Sequence, residues 1–185
     1  MKVPASQLVS SEELLELDMG QWEGGVRAEC YSPENLAIIR RDVWRFAPPG
    51  GESQKQVEER MLRYITQVVL PQLTPDRPAL IVTHGLAIKC FLRGLLDSSP
   101  DMTRRIRLDN TAITEVGFQP DGAEQGWHIL RVNDTMHLAA PAAAGGQLPT
   151  GSAADPTHEA ALRQGTLEPK ASGVAVNGDA RRPLT

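Results

Sequence analysis

The chain has 185 residues, of which 41% are hydrophobic, enough for one domain with a packed core. A formal net charge of -4 and a pI of about 5.6 argue against binding to nucleic acid or to an anionic membrane surface. The sequence shows neither an apolar run that could span a bilayer nor a secretory signal, so we predict an intracellular, cytoplasmic protein with no membrane partner.

Two helices are predicted in the N-terminal half of the chain. The first follows Ser32, a helix N-cap, and Pro33, which suits the first helical position. The second follows the turn-forming segment "PPGG", where Ser53 and Gln56 have the spacing of a capping box. Apolar residues then recur at helical spacing: Val57, Met61, Tyr64, Ile65, Val68 and Val69.

A buried strand and an apolar helix meet at His84. The strand is Ala79–Thr83, "ALIVT", which is short, rich in β-branched residues and apolar on both faces. The helix, "GLAIKCFLRGLL", has apolar residues around most of its circumference. Further on, "TAITEVGF" and "WHILRV" predict a β-hairpin, because an Asp-Gly turn signal lies between them. Together these elements predict an α/β fold with a partly parallel sheet.

The composition changes sharply after Leu138. Residues 139–185 contain no aromatic side chain and are rich in Ala, Gly and Pro, so they cannot bury enough apolar surface to offset chain entropy. We therefore predict a folded domain over residues 1–138 and a disordered tail over residues 139–185.

The domain has few predicted strands. A strand that is buried on both faces needs neighbouring strands on both edges, and the hairpin can supply one of them. No segment before Glu16 has the pattern of a strong β-α-β unit that could supply the other. Either an N-terminal strand is poorly patterned, or this chain begins after part of its fold.

His84 is the first candidate site residue. In open α/β sheets, ligands bind at the carboxyl ends of strands, and His84 follows such an end. Gly85 permits a sharp turn and a close backbone approach, and the next helix directs its free amides and positive dipole end to the same space. These features favour a phosphate site, where the anion would help to keep the imidazole protonated. The alternative is a core histidine bonded to a backbone carbonyl.

The segment around His84, "VTHGLAIKCFL", resembles the second histidine motif of the histidine phosphatase superfamily, the phosphoglycerate-mutase-like proteins. Other segments resemble elements of that family in the expected order: "LLELDMGQWEGG", "PPGGESQKQVEERM", "LDNTAITEVGF" and "WHILRVNDTMHL". The resemblance covers Leu14 to Leu138 and implies a three-layer α/β/α fold.

The resemblance also implies a chemistry, namely phosphoryl transfer through a phosphohistidine, without a metal or another cofactor. By matching motifs, His84 completes the phosphate pocket, and Gly85 and Leu86 offer backbone amides to the phosphate. Glu16 takes the position of the proton donor to the leaving oxygen, whereas without the resemblance it would be read as a solvated charge.

The implied partner is a phosphorylated small molecule or a phosphoprotein. Phosphoglycerate, sugar phosphates, nucleotides and phosphoproteins all stay open as substrates. Mutase and phosphatase activity differ in whether a second substrate or water reaches the phosphohistidine, and the sequence leaves that choice and the oligomeric state open.

The family's nucleophile has no counterpart in this sequence. It lies in an Arg-His-Gly motif at the end of the first strand, whereas the histidines here all follow Glu16: His84, His128, His137 and His158. We therefore expect that the N-terminal strand and helix are missing, together with any targeting peptide, and that the chain is inactive alone. The alternatives are a non-catalytic module that binds phosphorylated ligands or regulates, and a fragment that does not fold alone because of its open sheet edge.

The remaining cysteine and histidine candidates are expected to be structural. Cys90 lies well inside the helix after His84 and points away from its amide end, so it is a poor candidate for the nucleophile. His128 and His137 lie within or after the last strand. Neither HExxH nor HxH spacing occurs, so no metal site is predicted, and the cysteines lack a CxxC motif, which predicts reduced thiols.

Charged and aromatic candidates near the motifs are also expected to have structural roles. Arg60 and Arg63 are expected to be solvated on the long helix. Trp22 is expected to anchor its loop by packing rather than to stack on a substrate. Glu52 and Ser53 are expected to start the long helix, with a supporting role at the pocket as the alternative.

Overall fold

Helices and one antiparallel hairpin form the described part of the chain, residues 7–139 of a computed structural model. The α-helices are α1 (Arg27–Cys30), α2 (Pro33–Arg41), α3 (Gln54–Tyr64), α4 (Gly85–Leu95) and α5 (Met102–Arg105), and the strands are β1 (Ile113–Gln119) and β2 (Gly126–Asp134). Short 3-10 turns lie at Glu12–Leu14, Gly20–Trp22, Leu70–Gln72 and Met136–Leu138, and a π turn at Ile65–Val69 continues α3. Within residues 7–139, no helix is long and apolar enough to cross a membrane.

The predicted helix starts at Ser32 and Ser53 are confirmed. The Ser32 hydroxyl accepts a 3.3 Å hydrogen bond from the Asn35 amide, and Pro33 is the first residue of α2. At α3 the capping box is complete: the Gln56 amide donates to the Ser53 hydroxyl at 3.3 Å, and the Ser53 amide donates to Gln56 Oε1 at 2.8 Å. Each cap satisfies backbone donors that have no partner inside the helix.

The core lies between α3 and α4. Its buried members from α3 and the following π turn are Val57, Met61 and Ile65, and those from α4 are Ala87, Cys90 and Phe91. Burying a large apolar side chain stabilises a fold by roughly 1.5–3 kcal/mol relative to leaving it exposed. Leu14 and Leu17 from the N-terminal loop pack against this cluster, so the core also holds the loop that carries Glu16.

The predicted β-hairpin is confirmed. Strands β1 and β2 pair antiparallel, with Phe118 opposite Trp127 and Gly117 opposite His128. The Trp127 ring lies 5.1 Å from the Phe118 ring and 6.0 Å from the Phe91 ring, both in edge-to-face arrangements. The hairpin is therefore attached to α4 through an aromatic cluster.

The prediction of a buried strand at Ala79–Thr83 is wrong. These residues take part in no β-pairing within the described range, and the side chains of Leu80 and Val82 are 81% and 83% exposed. Ile81, between them, packs against the core. A strand is buried on both faces only when other strands and helices surround it, and β1 with β2 is the single sheet among residues 7–139. The α/β class is confirmed, but the sheet seen here is antiparallel rather than partly parallel.

The last described element is the turn Met136–Leu138. The predicted disordered tail lies, from residue 140 onward, outside the described residues.

Candidate active site

Glu16 lies at the amino end of α4, the helix that His84 begins. Its Oε2 accepts a hydrogen bond from the Leu86 amide and its Oε1 accepts one from the Ala87 amide, each at 3.1 Å. The Leu17 amide donates a third bond, of 3.0 Å, to Oε1. The two α4 amides belong to the first helical turn, where donors lack partners inside the helix and the dipole favours negative charge. The structure therefore brings Glu16 and the His84 region together.

His84 is the N-cap residue of α4, and it is exposed. Among residues 7–139, neither its ring nor the Gly85 amide has a hydrogen-bond partner. A Cβ added at Gly85 would meet no atom of residues 7–139 within 4 Å beyond its chain neighbours and its own helix backbone, so open space adjoins the α-carbon of this residue. The backbone of Gly85 lacks the positive φ that favours glycine, so the turn itself does not require glycine as the sequence suggested.

The Leu86 amide, which was predicted to bind phosphate, binds the Glu16 carboxylate in this structure. A carboxylate and a phosphate suit the same kind of donor, because both are anions that accept several hydrogen bonds. The amide of Gly85 stands next to this contact and is not engaged by residues of the described part. The predicted phosphate position and the observed position of the Glu16 side chain are therefore neighbours at one helix end.

The loop that carries Glu16 is fixed by side chains from two other elements. The Thr83 hydroxyl donates a 2.6 Å hydrogen bond to the Leu14 carbonyl. The Arg60 guanidinium donates from Nη1 to the Glu13 carbonyl at 2.7 Å and from Nη2 to the Glu16 carbonyl at 3.1 Å. These bonds satisfy carbonyl groups that a loop without regular structure cannot satisfy by itself.

The prediction that Arg60 is solvated is wrong. Arg60 is only 8% exposed, and its Nε and Nη2 donate to the two carboxylate oxygens of Glu52 at 2.9 and 3.0 Å. A guanidinium tolerates burial when its donors are matched in this bidentate way. Arg63, one turn later, is exposed as predicted, and it donates to the Glu13 carboxylate at 2.7 Å.

Glu52 connects the start of α3 to the loop after Glu16. Its Oε2 accepts a 3.2 Å bond from the Asp18 amide, and its own amide donates to the Asp18 carbonyl at 2.8 Å. The two backbones approach closely because glycines meet there: a Cβ on Gly20 would lie 2.4 Å from the Gly51 nitrogen. Gly20 also has a φ of 53°, a conformation that glycine adopts readily.

Lys89 is a charged residue near Glu16 that the sequence patterns did not single out. It lies on α4 and is half-buried. Burial lowers the pKa of its ammonium below the usual range, while the Glu16 carboxylate and the Cys90 sulfur partly oppose that shift. Lys89 follows His84 by a little over one turn of α4. Lysines are common on helix surfaces, so the sequence alone gives no reason to assign it to the site.

An open cleft with a volume of about 680 Å³ is lined in part by Glu16. Carboxylates dominate its lining, with Arg60 and Arg63 as its basic residues, and His84 does not line it. Carboxylates therefore line the cleft, whereas the exposed His84 imidazole and the Gly85 amide lie at the amino end of α4, outside that lining.

The structure also places Cys90, His128 and His137. Cys90 is fully buried, and burial, together with the nearby carboxylates of Glu58 and Glu16, raises the pKa of its thiol to about 12. The His128 ring lies 2.7 Å, through Nε2, from the Glu124 carbonyl oxygen. His137 lies in the turn Met136–Leu138.

Trp22 is placed as the sequence suggested. Its ring lies 5.4 Å from that of Tyr31 and 5.6 Å from that of Phe46, which makes it the centre of a small aromatic cluster.

No group of His, Cys, Asp and Glu side chains in residues 7–139 has the arrangement of a metal site.

The chain is similar to proteins called probable phosphoglycerate mutase GpmB. It is 35% identical over 140 residues to that of Cronobacter sakazakii, and the alignment covers 73% of this chain and 63% of the relative. It is also 32% identical over 136 residues to the bifunctional protein Rv2228c of Mycobacterium tuberculosis, covering 72% of this chain and 36% of that protein. The chain thus spans less than two thirds of the length of these relatives.

Solved structures share the fold. Bacillus stearothermophilus YhfR matches with a TM-score of 0.58 and 23% identity, covering 70% of this chain and 62% of that one. Mycobacterial glucosyl-3-phosphoglycerate phosphatase Rv2419c, solved with VO3, matches with a TM-score of 0.55 and 25% identity, covering 68% and 64%.

The profile of the histidine phosphatase superfamily (branch 1) matches residues 3–135, well over half of the chain. The matched range includes Glu16, Glu52 and His84, the residues on which the site is built. With phosphoglycerate-mutase-like relatives and phosphatases among the proteins of like fold, the family resemblance seen in the motifs is confirmed. This chain belongs to the histidine phosphatase superfamily.

Proposed function

We propose that this chain binds a phosphomonoester at the amino end of α4, with His84 and the Gly85 amide holding the phosphoryl group and Glu16 beside its leaving oxygen. The observation that carries the proposal is the contact between the Glu16 carboxylate and the first-turn amides of α4, next to the exposed His84 ring. An exposed imidazole, an amide without a partner among residues 7–139 and a helix dipole together favour an anion at this position.

The proposed reaction class is metal-independent phosphoryl transfer from a phosphomonoester. As the family resemblance implies it, a histidine nitrogen forms a bond to phosphorus while the bond from phosphorus to the leaving oxygen breaks. The electron pair of that bond goes to the oxygen, and the carboxyl of Glu16 gives this oxygen its proton. Water or an acceptor hydroxyl then attacks phosphorus, the nitrogen–phosphorus bond breaks, and Glu16 takes the attacking group's proton.

The nucleophile in that scheme is not supplied by this sequence, so we propose that the chain alone binds without turnover. His84 is the pocket histidine in the scheme, and the others are His128, His137 and His158. The His128 ring contacts the Glu124 carbonyl oxygen on the hairpin. Cys90 offers no substitute, because burial keeps its thiol protonated.

The substrate class we propose is a phosphorylated small molecule, with a phosphoprotein as the second choice. The names of similar proteins support the first choice, since they refer to phosphoglycerate and glucosyl-3-phosphoglycerate. The exposed His84 ring beside the Gly85 amide supports recognition of the phosphoryl group. Neither a nucleic-acid nor a membrane partner is part of the proposal.

A titration with inorganic phosphate, followed by NMR, tests the binding site. The ring signals of His84 and the amide signal of Gly85 are expected to shift with one saturating curve, while the ring signals of His128 stay in place. His84→Ala is expected to abolish the saturating shift at Gly85. A titration that moves neither His84 nor Gly85 contradicts the proposed site.

Turnover of a generic aryl phosphate at mildly acidic pH tests the proposed inactivity. We expect none above the background of His84→Ala. Turnover by the 185-residue chain that requires His84 contradicts the claim that an additional nucleophile is needed.

A second candidate function is a non-catalytic module that binds phosphorylated ligands. The observation that favours it is the exposed His84 ring beside the Gly85 amide, which can hold a phosphate without any covalent step. Addition of a synthetic strand that ends in Arg-His-Gly separates the candidates. Turnover that appears with this peptide, and not with a peptide carrying Arg-Ala-Gly, favours the enzyme; phosphate binding that never leads to turnover favours the module.

A further inference from the structure

We propose that Arg60 is a positioning residue for Glu16: it fixes the backbone from which the Glu16 carboxylate reaches α4. This inference rests on the proposed function, because Glu16 is the proposed proton donor. Arg60 itself lies on α3 and donates to the Glu16 carbonyl, not to its side chain. It therefore acts through another residue.

The hydrogen bonds of Arg60 define a single position for the loop. Its guanidinium donates to the carbonyls of Glu13 and Glu16, at 2.7 and 3.1 Å, and these two residues bracket the end of the turn Glu12–Leu14. Fixing two carbonyls three positions apart restrains both the location and the direction of the chain between them. The rigid fork of a guanidinium suits this task, whereas a lysine ammonium is a point charge on a flexible stem.

Glu52 keeps the guanidinium in place. Its carboxylate accepts from Nε and Nη2 of Arg60, and the same carboxylate accepts from the Asp18 amide on the far side of Glu16. The loop is thus bonded before and after Glu16 to one ion pair, whose arginine is buried and whose glutamate is partly exposed. Because Arg60 is 8% exposed, water competes little with these bonds, and they retain most of their strength.

The consequence lies at α4, which Arg60 does not bond. Once the Glu16 backbone is fixed, the short side chain reaches the amides of Leu86 and Ala87. Thr83, just before α4, holds Leu14 and gives the loop a second attachment on that side. Without Arg60 the carboxylate would have to order its own loop to make the same contacts, at an entropic cost for each residue fixed.

Amide hydrogen exchange by NMR, on the 185-residue chain, tests this inference without requiring a ligand. In Arg60→Gln, the protection of the Leu86 and Ala87 amides is expected to fall by about tenfold, the effect of losing a charge-assisted hydrogen bond. Glu16→Ala defines the value for amides that are fully released. The amides of Phe91 and Leu92, later in α4, are expected to keep their protection.

Arg63→Gln is the matched control. Arg63 also lies on α3 and also bonds the loop, but it is exposed and bonds the Glu13 side chain rather than a backbone carbonyl. It is expected to leave the Leu86 and Ala87 amides unchanged. An equal loss of protection in Arg63→Gln and Arg60→Gln would overturn the proposal.

Two further outcomes also overturn it: unchanged protection of the two amides in Arg60→Gln, and a uniform loss along all of α4, which would indicate only lower stability. If Arg60→Gln does not fold, Arg60→Lys is measured in the same way and judged by the same criteria. The phosphate titration of His84 is a separate measurement, so failure of phosphate binding with intact exchange results would reject the proposed function and not the positioning role.

Discussion

Glu58 on α3 and Arg93 on α4 form a buried ion pair that joins the two core helices. The Arg93 side chain is 11% exposed and that of Glu58 is 10% exposed. The guanidinium also lies 3.8 Å from the centroid of the Trp44 ring and donates a 2.7 Å hydrogen bond to the Ser98 carbonyl. Each charge is matched, which is the condition under which a protein tolerates buried charges.

Arg93→Met is expected to lower the free energy of unfolding by about 3–5 kcal/mol, because it leaves the Glu58 carboxylate buried without a counter-charge. Urea denaturation measures the change. Addition of Glu58→Met is expected to recover much of the loss, since no unpaired charge then remains.

The matched control for this pair is Arg45→Met. Arg45 bonds Asp42 at 3.1 Å, but both side chains are exposed, so the expected cost is below about 1 kcal/mol. Equal costs for Arg45→Met and Arg93→Met would contradict the importance assigned to burial.

Glu16→Gln is expected to strengthen phosphate binding at α4 by about two- to fivefold, the range expected for one charge near a helix terminus. The substitution removes the negative charge of the carboxylate that accepts hydrogen bonds from the Leu86 and Ala87 amides. Calorimetric titration with inorganic phosphate measures the change. Glu59→Gln, which alters another carboxylate of the cleft, serves as the control and is expected to have a smaller effect. Weaker phosphate binding in Glu16→Gln would show that the carboxylate does not compete with the anion.

Cys90 is expected to make stability fall at alkaline pH. The pKa of its thiol is raised from 9.0 to about 12 by burial and by the nearby carboxylates of Glu58 and Glu16, so unfolding releases a proton between these pH values. The free energy of unfolding therefore falls as pH rises through that window.

The difference between the chain and Cys90→Ala isolates this effect from other groups that titrate there. The expected result is a difference in unfolding free energy that shrinks as pH rises from 9 towards 12, measured by urea denaturation. A difference that stays constant over the window would mean that the thiol ionises alike in both states. Below pH 9, thiol reagents are expected to label Cys30, which is partly exposed, and to spare Cys90.

In the segment Ala79–Thr83, a charged substitution is expected to be tolerated at Leu80 and Val82 but to destabilise the fold at Ile81. Leu80→Glu and Val82→Glu should each change stability by less than about 0.5 kcal/mol, as surface substitutions do. Ile81→Glu places an unpaired carboxylate against the core and should cost more than about 3 kcal/mol. Urea denaturation distinguishes these outcomes. Severe destabilisation by Val82→Glu would contradict the observed exposure of Val82 and support the buried strand that the sequence predicts. Leu80→Glu and Val82→Glu are also both expected to scatter less light, because each replaces an exposed apolar side chain with a charge.

Local chemistry explains the parts of the fold that the sequence predicts well. Ser32 with Pro33, and Ser53 with Gln56, each start a helix through contacts within a few residues, so their short motifs hold the necessary information. The hairpin is similar, because the Asp-Gly turn and the flanking β-branched and aromatic residues act together over a short span.

Features that depend on distant partners were predicted less well. Ala79–Thr83 has the composition of a central strand, but burial on both faces requires surrounding elements that its own residues do not specify. Arg60 was misread because a charged residue on a helix is usually solvated, and only the folded loop supplies the carbonyls and the carboxylate that match its donors. Glu16 and His84 were found through family motifs, since a glutamate in a loop has no local pattern of its own.

The loop around Glu16 has little regular structure, so its shape is specified by bonds from Arg60, Glu52 and Thr83. A protein engineer who grafts this carboxylate onto another scaffold would therefore have to transfer those three supports as well. Copying the loop sequence alone would place the correct side chain on a backbone whose conformation is not fixed.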